Sequence, residues 1–125
     1  LLEPVLDEIP IVMVDEAGLI RFWSKGAERA FGHPQQDAVG QTLDLIVPQE
    51  FRGAHWAGFR RAMTSGKAAA EGTPGPFPAI TAGGKKLTIN GTLTLLRRAD
   101  GQAMGAMVIF DERDMQRGPG SDFPV

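Results

Sequence analysis

Apolar positions recur with two different periods along this chain, and the switch between them outlines the fold. Residues 9–14 (Ile-Pro-Ile-Val-Met-Val) form a short apolar run rich in β-branched side chains. Asp15-Glu16-Ala17-Gly18 follows as a turn, with Gly18 free to take positive φ, and residues 19–23 (Leu-Ile-Arg-Phe-Trp) read as a second strand. Two strands joined by four turn residues predict a hairpin. Ser24 is a good helix N-cap for a helix through residues 25–31, ended by Gly32 with Pro34 beyond. Gln35 to Ala38 adds a helical turn, and Leu43, Ile46 and Val47 make another short apolar cluster before Pro48. Short broken helices in succession predict a wall of helical turns rather than a bundle.

The period of 3.6 is clearest after Pro48. At 100° per residue, Phe51, His55, Phe59, Ala62 and Met63 fall within an arc of about 120°. The helix ends at Ser65-Gly66, and residues 67–76 are rich in Ala, Gly and Pro and read as a loop. Residues 77–82 form a strand that Pro78, with Pro76 just before it, confines to an edge or a late start. Over residues 85–96 the period becomes 2: Leu87, Ile89, Leu93 and Leu95 alternate with Thr88, Asn90, Thr92 and Thr94. Gly91 takes an inward position and opens room on the core face, or marks a bulge. Asp100-Gly101 signals a hairpin. Residues 102–111 form a last strand, apolar on both faces: Met104, Ala106, Val108 and Phe110 on one, Ala103, Gly105, Met107 and Ile109 on the other. Such a strand is central, or has its outer face covered. Short connections between adjacent strands imply an antiparallel sheet with the helices on one face, an α+β architecture.

Composition narrows the chemistry. The chain has 125 residues, hydrophobic content of 42% and a formal charge of −2. These values suit one folded domain and do not indicate a nucleic-acid surface. It has no cysteine, which removes disulfides, thiolate metal sites and cysteine nucleophiles from consideration. No apolar run approaches the ~20 residues that span a membrane, and acidic residues near the N-terminus argue against a signal peptide; a cytoplasmic location is expected. No nucleophile–base pair, metal triad or phosphate loop is present, so an enzyme is not expected. A domain at 1–117 with a linker-like tail at 118–125 is the expected organisation.

The residues and their order resemble a PAS domain over about residues 3–115. The resemblance rests on the Asp15–Ile20 hairpin, the Trp23-Ser24-Lys25-Gly26-Ala27-Glu28-Arg29-Ala30-Phe31-Gly32 helix, the Val39-Gly40-Gln41-Thr42-Leu43 and Ile46-Val47-Pro48 segments, and the closing Ile109-Phe110-Asp111-Glu112-Arg113-Asp114. It implies a PAS fold, with a five-stranded antiparallel sheet in the order 2-1-5-4-3 and helices enclosing a cavity on one face. It also implies a bacterial sensor or interaction module, attached to an output domain outside this chain.

His55 is the residue on which function turns. A polar imidazole in the middle of an apolar stripe must find a partner or cost about 1–3 kcal/mol. The bland reading is a structural histidine bonded to a backbone carbonyl, or one facing solvent. The sharper reading follows from the resemblance to haem-binding PAS branches, in which a histidine on the long helix is the proximal iron ligand. His55 would then ligate haem b. Phe51, Phe59 and Met63 would wall the porphyrin, Arg52 would pair with a propionate, and Ile89, Gly91, Leu93 and Met107 would face the macrocycle. The signal would be a diatomic gas (O2, CO or NO) or redox state, passed through residues 111–115 or a homodimer interface. Two alternatives differ in class. One is a redox flavin domain near Trp23 or Trp56, since the light-sensing kind needs a cysteine. The other is a cofactor-free interaction module in which Met104, Val108 and Phe110 meet a partner subunit or the segment around Val5 and Leu6. His33 reads as an exposed turn residue, Asp15/Glu16 as turn chemistry, and Met63, Met104 and Met107 as core filler or sixth-ligand candidates.

Overall fold

The computed structural model describes residues 7–117. The expected tail at 118–125 and the segment around Val5 and Leu6 lie outside these residues.

Strand β1 (Ile11–Asp15) returns as β2 (Ile20–Trp23). The turn is held by Asp15, whose carboxylate accepts the N–H groups of Ala17 and Leu19 at 3.0 Å and the Arg21 Nε–H at 2.7 Å. Gly18 supplies the φ of +84° that the turn requires. Helix α1 (Lys25–Phe31) starts at Ser24 and stops at left-handed Gly32. Ser24 is fully used: its hydroxyl accepts from Ile11 N–H at 2.9 Å and Ala27 N–H at 3.1 Å, and donates to the Ile9 carbonyl at 2.6 Å. One side chain thereby caps the helix and ties it to the strand entering the sheet.

A short α2 (Gln35–Ala38) and a 3-10 turn (Leu43–Leu45) lead to the long helix α3 (Gln49–Ser65), which ends at left-handed Gly66. Strands β3 (Gly75–Ile80), β4 (Lys86–Arg97) and β5 (Ala103–Arg117) complete one antiparallel sheet in the order β2-β1-β5-β4-β3. The proline-bearing β3 lies at the edge, where a missing N–H costs least.

Two features of β5 depart from the sequence pattern. It continues to Arg117, where the pattern ends at 111, because the long β4 offers backbone partners as far as Leu87. It also carries an irregularity opposite Leu96/Arg97: Leu95 pairs with Ala106 and Leu96 with Gly105, but Arg97 pairs with Ala103. Met104 is skipped and left 42% exposed, so it does not share the face of Ala106, Val108 and Phe110 as simple alternation predicts. Beside it, a Cβ on Gly105 would sit 2.3 Å from the Val14 carbonyl oxygen, so this central pairing depends on glycine.

The core lies between the sheet and the helices. A row of aromatic rings crosses it, from Trp23 to Phe31 (5.7 Å), Phe31 to Phe110 (5.1 Å) and Phe110 to Phe77 (5.6 Å). These tilted and edge-on contacts join β2, α1, β5 and β3 into one packed layer.

Candidate functional site

Next to that layer the core is hollow. A cavity of about 410 Å³ lies between α3 and the inner face of the sheet, a size typical of small-molecule sites at ~300–1,000 Å³. Its floor is apolar: Val12 and Val14 from β1, Ala106, Val108 and Phe110 from β5, Leu93 and Leu95 from β4, Phe77 and Ala79 from β3. Helix α3 contributes His55, Gly58, Phe59 and Ala62, and the chain after α2 adds Leu43, Ile46 and Val47. The small side chains at Gly58, Ala62 and Ala106 leave the space that larger residues would fill.

His55 is the polar group that stands out in this wall. Its ring stacks on Phe59 at 6.4 Å and meets Trp56 edge-on at 5.6 Å. Its Nδ1 is buried and has no hydrogen-bond partner, so this atom makes no bond to the backbone carbonyl that the bland alternative called for. Burial pushes the imidazole below its ordinary pKa of 6.5, and the Asp44 carboxylate opposes the shift only in part. The ring is therefore held neutral, the form that offers a nitrogen lone pair. His33 also has a buried, unpartnered nitrogen, Nε2, and is half-buried against Trp23 rather than exposed.

Of the residues singled out from sequence, His55, Phe59 and Leu93 line the cavity. Met63 packs against the core cluster outside it, and Phe51 is half-buried away from it. Arg52 is already engaged: its guanidinium donates to the carbonyls of Val47 (2.9 Å) and Asp44 (3.1 Å), holding the 3-10 turn on α3. It is not free for a propionate. Ile89 is wholly buried in solid core. Gly91 opens no room, because a Cβ there would meet Phe110 Cδ1 at 2.9 Å, Val108 Cγ1 at 3.0 Å and Phe77 Cδ1 at 3.1 Å. Neighbouring large side chains have taken the volume that the glycine leaves. Met107 alternates with the inward Ala106 and Val108 and faces away from the cavity, as does Ile109, 39% exposed. Val108 and Phe110 face the cavity, so they cannot form the outer contact surface expected of them with Met104.

Sequence reading overlooked the mouth. Arg61 and the segment Lys67–Ala70 border the cavity, and neither Arg61 nor Lys67 makes an ion pair among the described residues. Arg61 lies off the apolar stripe and reaches the rim by its long stem. The segment is pinned by Arg97, which donates to the Gly66 carbonyl (2.9 Å) and to the Glu71 carboxylate (2.5 Å), while Glu71 also accepts the Leu95 N–H at 2.9 Å. The run of small residues at Ala68–Ala70 was its visible signal. No group of three or more His, Cys, Asp or Glu side chains that could hold a bare metal ion occurs among the described residues. No helix there is long and apolar enough to cross a membrane.

Comparison with known proteins bears on this geometry. The chain is 30% identical over 61 residues, 49% of its length, to the oxygen sensor protein DosP of Escherichia coli strain K12, and covers 8% of that protein. It is 34% identical over 56 residues, 43% of its length, to the sensor protein FixL of Bradyrhizobium diazoefficiens, and covers 11% of it. The chain thus spans about a tenth of these relatives. Among solved structures, the PAS domain of a Colwellia psychrerythraea protein superposes with TM-score 0.69 at 22% identity, covering 83% of this chain and 85% of that one. An RNA-binding light-oxygen-voltage receptor superposes with TM-score 0.68 at 13% identity, covering 83% of this chain and 29% of that one. At these identities the likeness concerns the fold. The PAS fold model matches residues 7–118, almost the whole chain, and with the sheet order and the helix-roofed cavity this places the chain in the PAS fold family.

Proposed function

We propose that this domain is a sensor whose cavity would hold haem b, with His55 as a ligand to the iron. The observation that carries the reading is the buried, unpartnered Nδ1 of a neutral imidazole in the wall of an apolar cavity. A bare metal ion would need several protein ligands, but a porphyrin brings four nitrogens of its own and asks the protein for one or two. The donor set therefore fits the group. The similarity to an oxygen sensor protein supports the same reading. When bound, the haem supplies an iron centre that responds to a diatomic gas or to redox state.

The chain's own residues do the rest. Val12, Val14, Leu93, Leu95 and Val108 exclude water from the macrocycle's place. Phe59 stacks on the His55 ring and limits its rotation. Arg61 and Lys67, at the mouth and without ion-pair partners among the described residues, take the propionate role that Arg52 cannot. A change at the cavity floor reaches β5 directly, and β5 continues past residues 111–115 toward an output element. The outward Met107 and Ile109 suit a second copy of the domain. In this reading the domain is a sensor and not a catalyst.

Absorption spectroscopy of the purified protein mixed with haem tests it. A Soret band that survives desalting, and that shifts or disappears in His55→Ala, is the expected result. A folded protein that retains no haem would sink the reading and leave the cofactor-free interaction module. A bound yellow chromophore would favour flavin.

A further inference from the structure

Trp56, next to His55 on α3, does more than fill space. Its indole Nε1–H donates to the Asp44 carboxylate at 3.0 Å. The far edge of the same indole lies directly on the β1–β2 turn: a Cβ built on Gly18 would be 2.6 Å from Trp56 Cη2 and 2.7 Å from Cζ3. Gly18 is buried beneath it. The ring is thus held at both ends, by a hydrogen bond at the 3-10 turn and by close contact at the hairpin. It meets His55 edge-on at 5.6 Å and Phe59 at 5.8 Å. Arg52 reinforces the frame by holding the Asp44 carbonyl from α3. A helix can roll or slide by small amounts while its backbone hydrogen bonds stay intact; a side chain locked at both ends removes that freedom.

The geometry points to Trp56 as the positioning residue of His55, with Asp44 and Gly18 as the two fixed points that set it. The inference rests on the reading of His55 as the iron ligand. It makes the β1–β2 turn a part of the site although no turn residue lines the cavity. Sequence periodicity gives Trp56 no such role, because its partners lie 12 and 38 positions away.

Three variants test it: Asp44→Ala, Asp44→Asn and Trp56→Phe. Asn keeps an oxygen acceptor for the indole but loses the charge, so it separates position from electrostatics. In the haem-free protein, the ring-proton resonances of His55 and the indole N–H resonance of Trp56 should move in Asp44→Ala and stay near wild-type positions in Asp44→Asn. In the haem-loaded protein, the iron–histidine stretching band in resonance Raman spectra should shift in Asp44→Ala and Trp56→Phe, with recovery in Asp44→Asn. Haem loss to an acceptor should quicken by about 2- to 10-fold in the first two, the range for one lost hydrogen bond. His55 resonances and an iron–histidine band unmoved in Asp44→Ala would overturn the proposal. So would equal shifts in Asp44→Asn and Asp44→Ala, since charge and not position would then be responsible. If the wild type takes up no haem, the iron-ligand reading fails, and the haem-free resonances still decide whether Trp56 sets His55.

Discussion

Replacing His55 by leucine should stabilise the haem-free domain while removing the nitrogen through which the proposed haem would be held. The wild-type ring carries a buried Nδ1 with no hydrogen-bond partner, and such a group costs about 1–3 kcal/mol. Leucine recovers that cost and suits a helix interior. It gives up two ring contacts, with Trp56 and Phe59, at about 0.5–1.5 kcal/mol each, which roughly cancel that gain; the extra apolar surface that leucine buries in the cavity wall, at about 0.8 kcal/mol per CH2, tips the sum. The balance favours His55→Leu by about 1 kcal/mol, or an upward shift in Tm of about 3–6 °C for a domain of this size. The pH dependence gives a second handle. Burial holds the His55 pKa below 6.5 in the folded state. As pH falls below 6.5 the unfolded chain binds this proton before the folded one does, so stability declines as pH falls from 6.5 toward the lowered folded value; above 6.5 the contribution is level. The leucine variant lacks that slope, so its advantage should widen in mild acid. Thermal denaturation of haem-free protein between pH 5 and 7.5, read by circular dichroism, measures both effects. A lower Tm for His55→Leu at pH 7.5, or an unchanged slope in acid, would refute the argument by showing that the imidazole is satisfied in the folded state.

Two further substitutions probe the frame. Gly91→Ala should destabilise by about 1–3 kcal/mol in chemical denaturation, because its Cβ meets Phe110, Val108 and Phe77 at 2.9–3.1 Å; a neutral or stabilising result would mean that the space beside Gly91 is open after all. Ser24→Ala should cost about 2–4 kcal/mol, measured by urea unfolding, since it strips a buried cap that serves Ile11, Ala27 and Ile9 together; a loss below about 0.5 kcal/mol would show that those groups find other partners.

Much of the fold was legible in the sequence because its signals are local. The Asp15–Gly18 turn, the Ser24 cap, the glycine stops and the alternation through 85–96 each depend on neighbours a few positions away, and each produces the element it predicts. The side of the helix that His55 occupies follows from periodicity alone, and His55, Phe59 and Leu93 accordingly reach the cavity. What periodicity cannot express is competition for volume and for hydrogen bonds between distant segments. Gly91 reads as a gap, yet Phe110, Val108 and Phe77 converge on it from two other strands. Arg52 reads as an available cation, yet the carbonyls of Val47 and Asp44 claim it once the 3-10 turn folds against α3. Met104 reads as sharing one face with Ala106, Val108 and Phe110 until the register with β4 skips it. Local sequence patterns suffice for the order of elements, their caps and turns, and the presence of one histidine on an apolar stripe. It takes the packed chain to leave this histidine a buried nitrogen without a partner, to set the hollow beside it rather than at Gly91, and to bring Arg61 and Lys67 to its mouth. Space and pairing are properties of surfaces that meet, and those surfaces come from parts of the chain that share no local pattern.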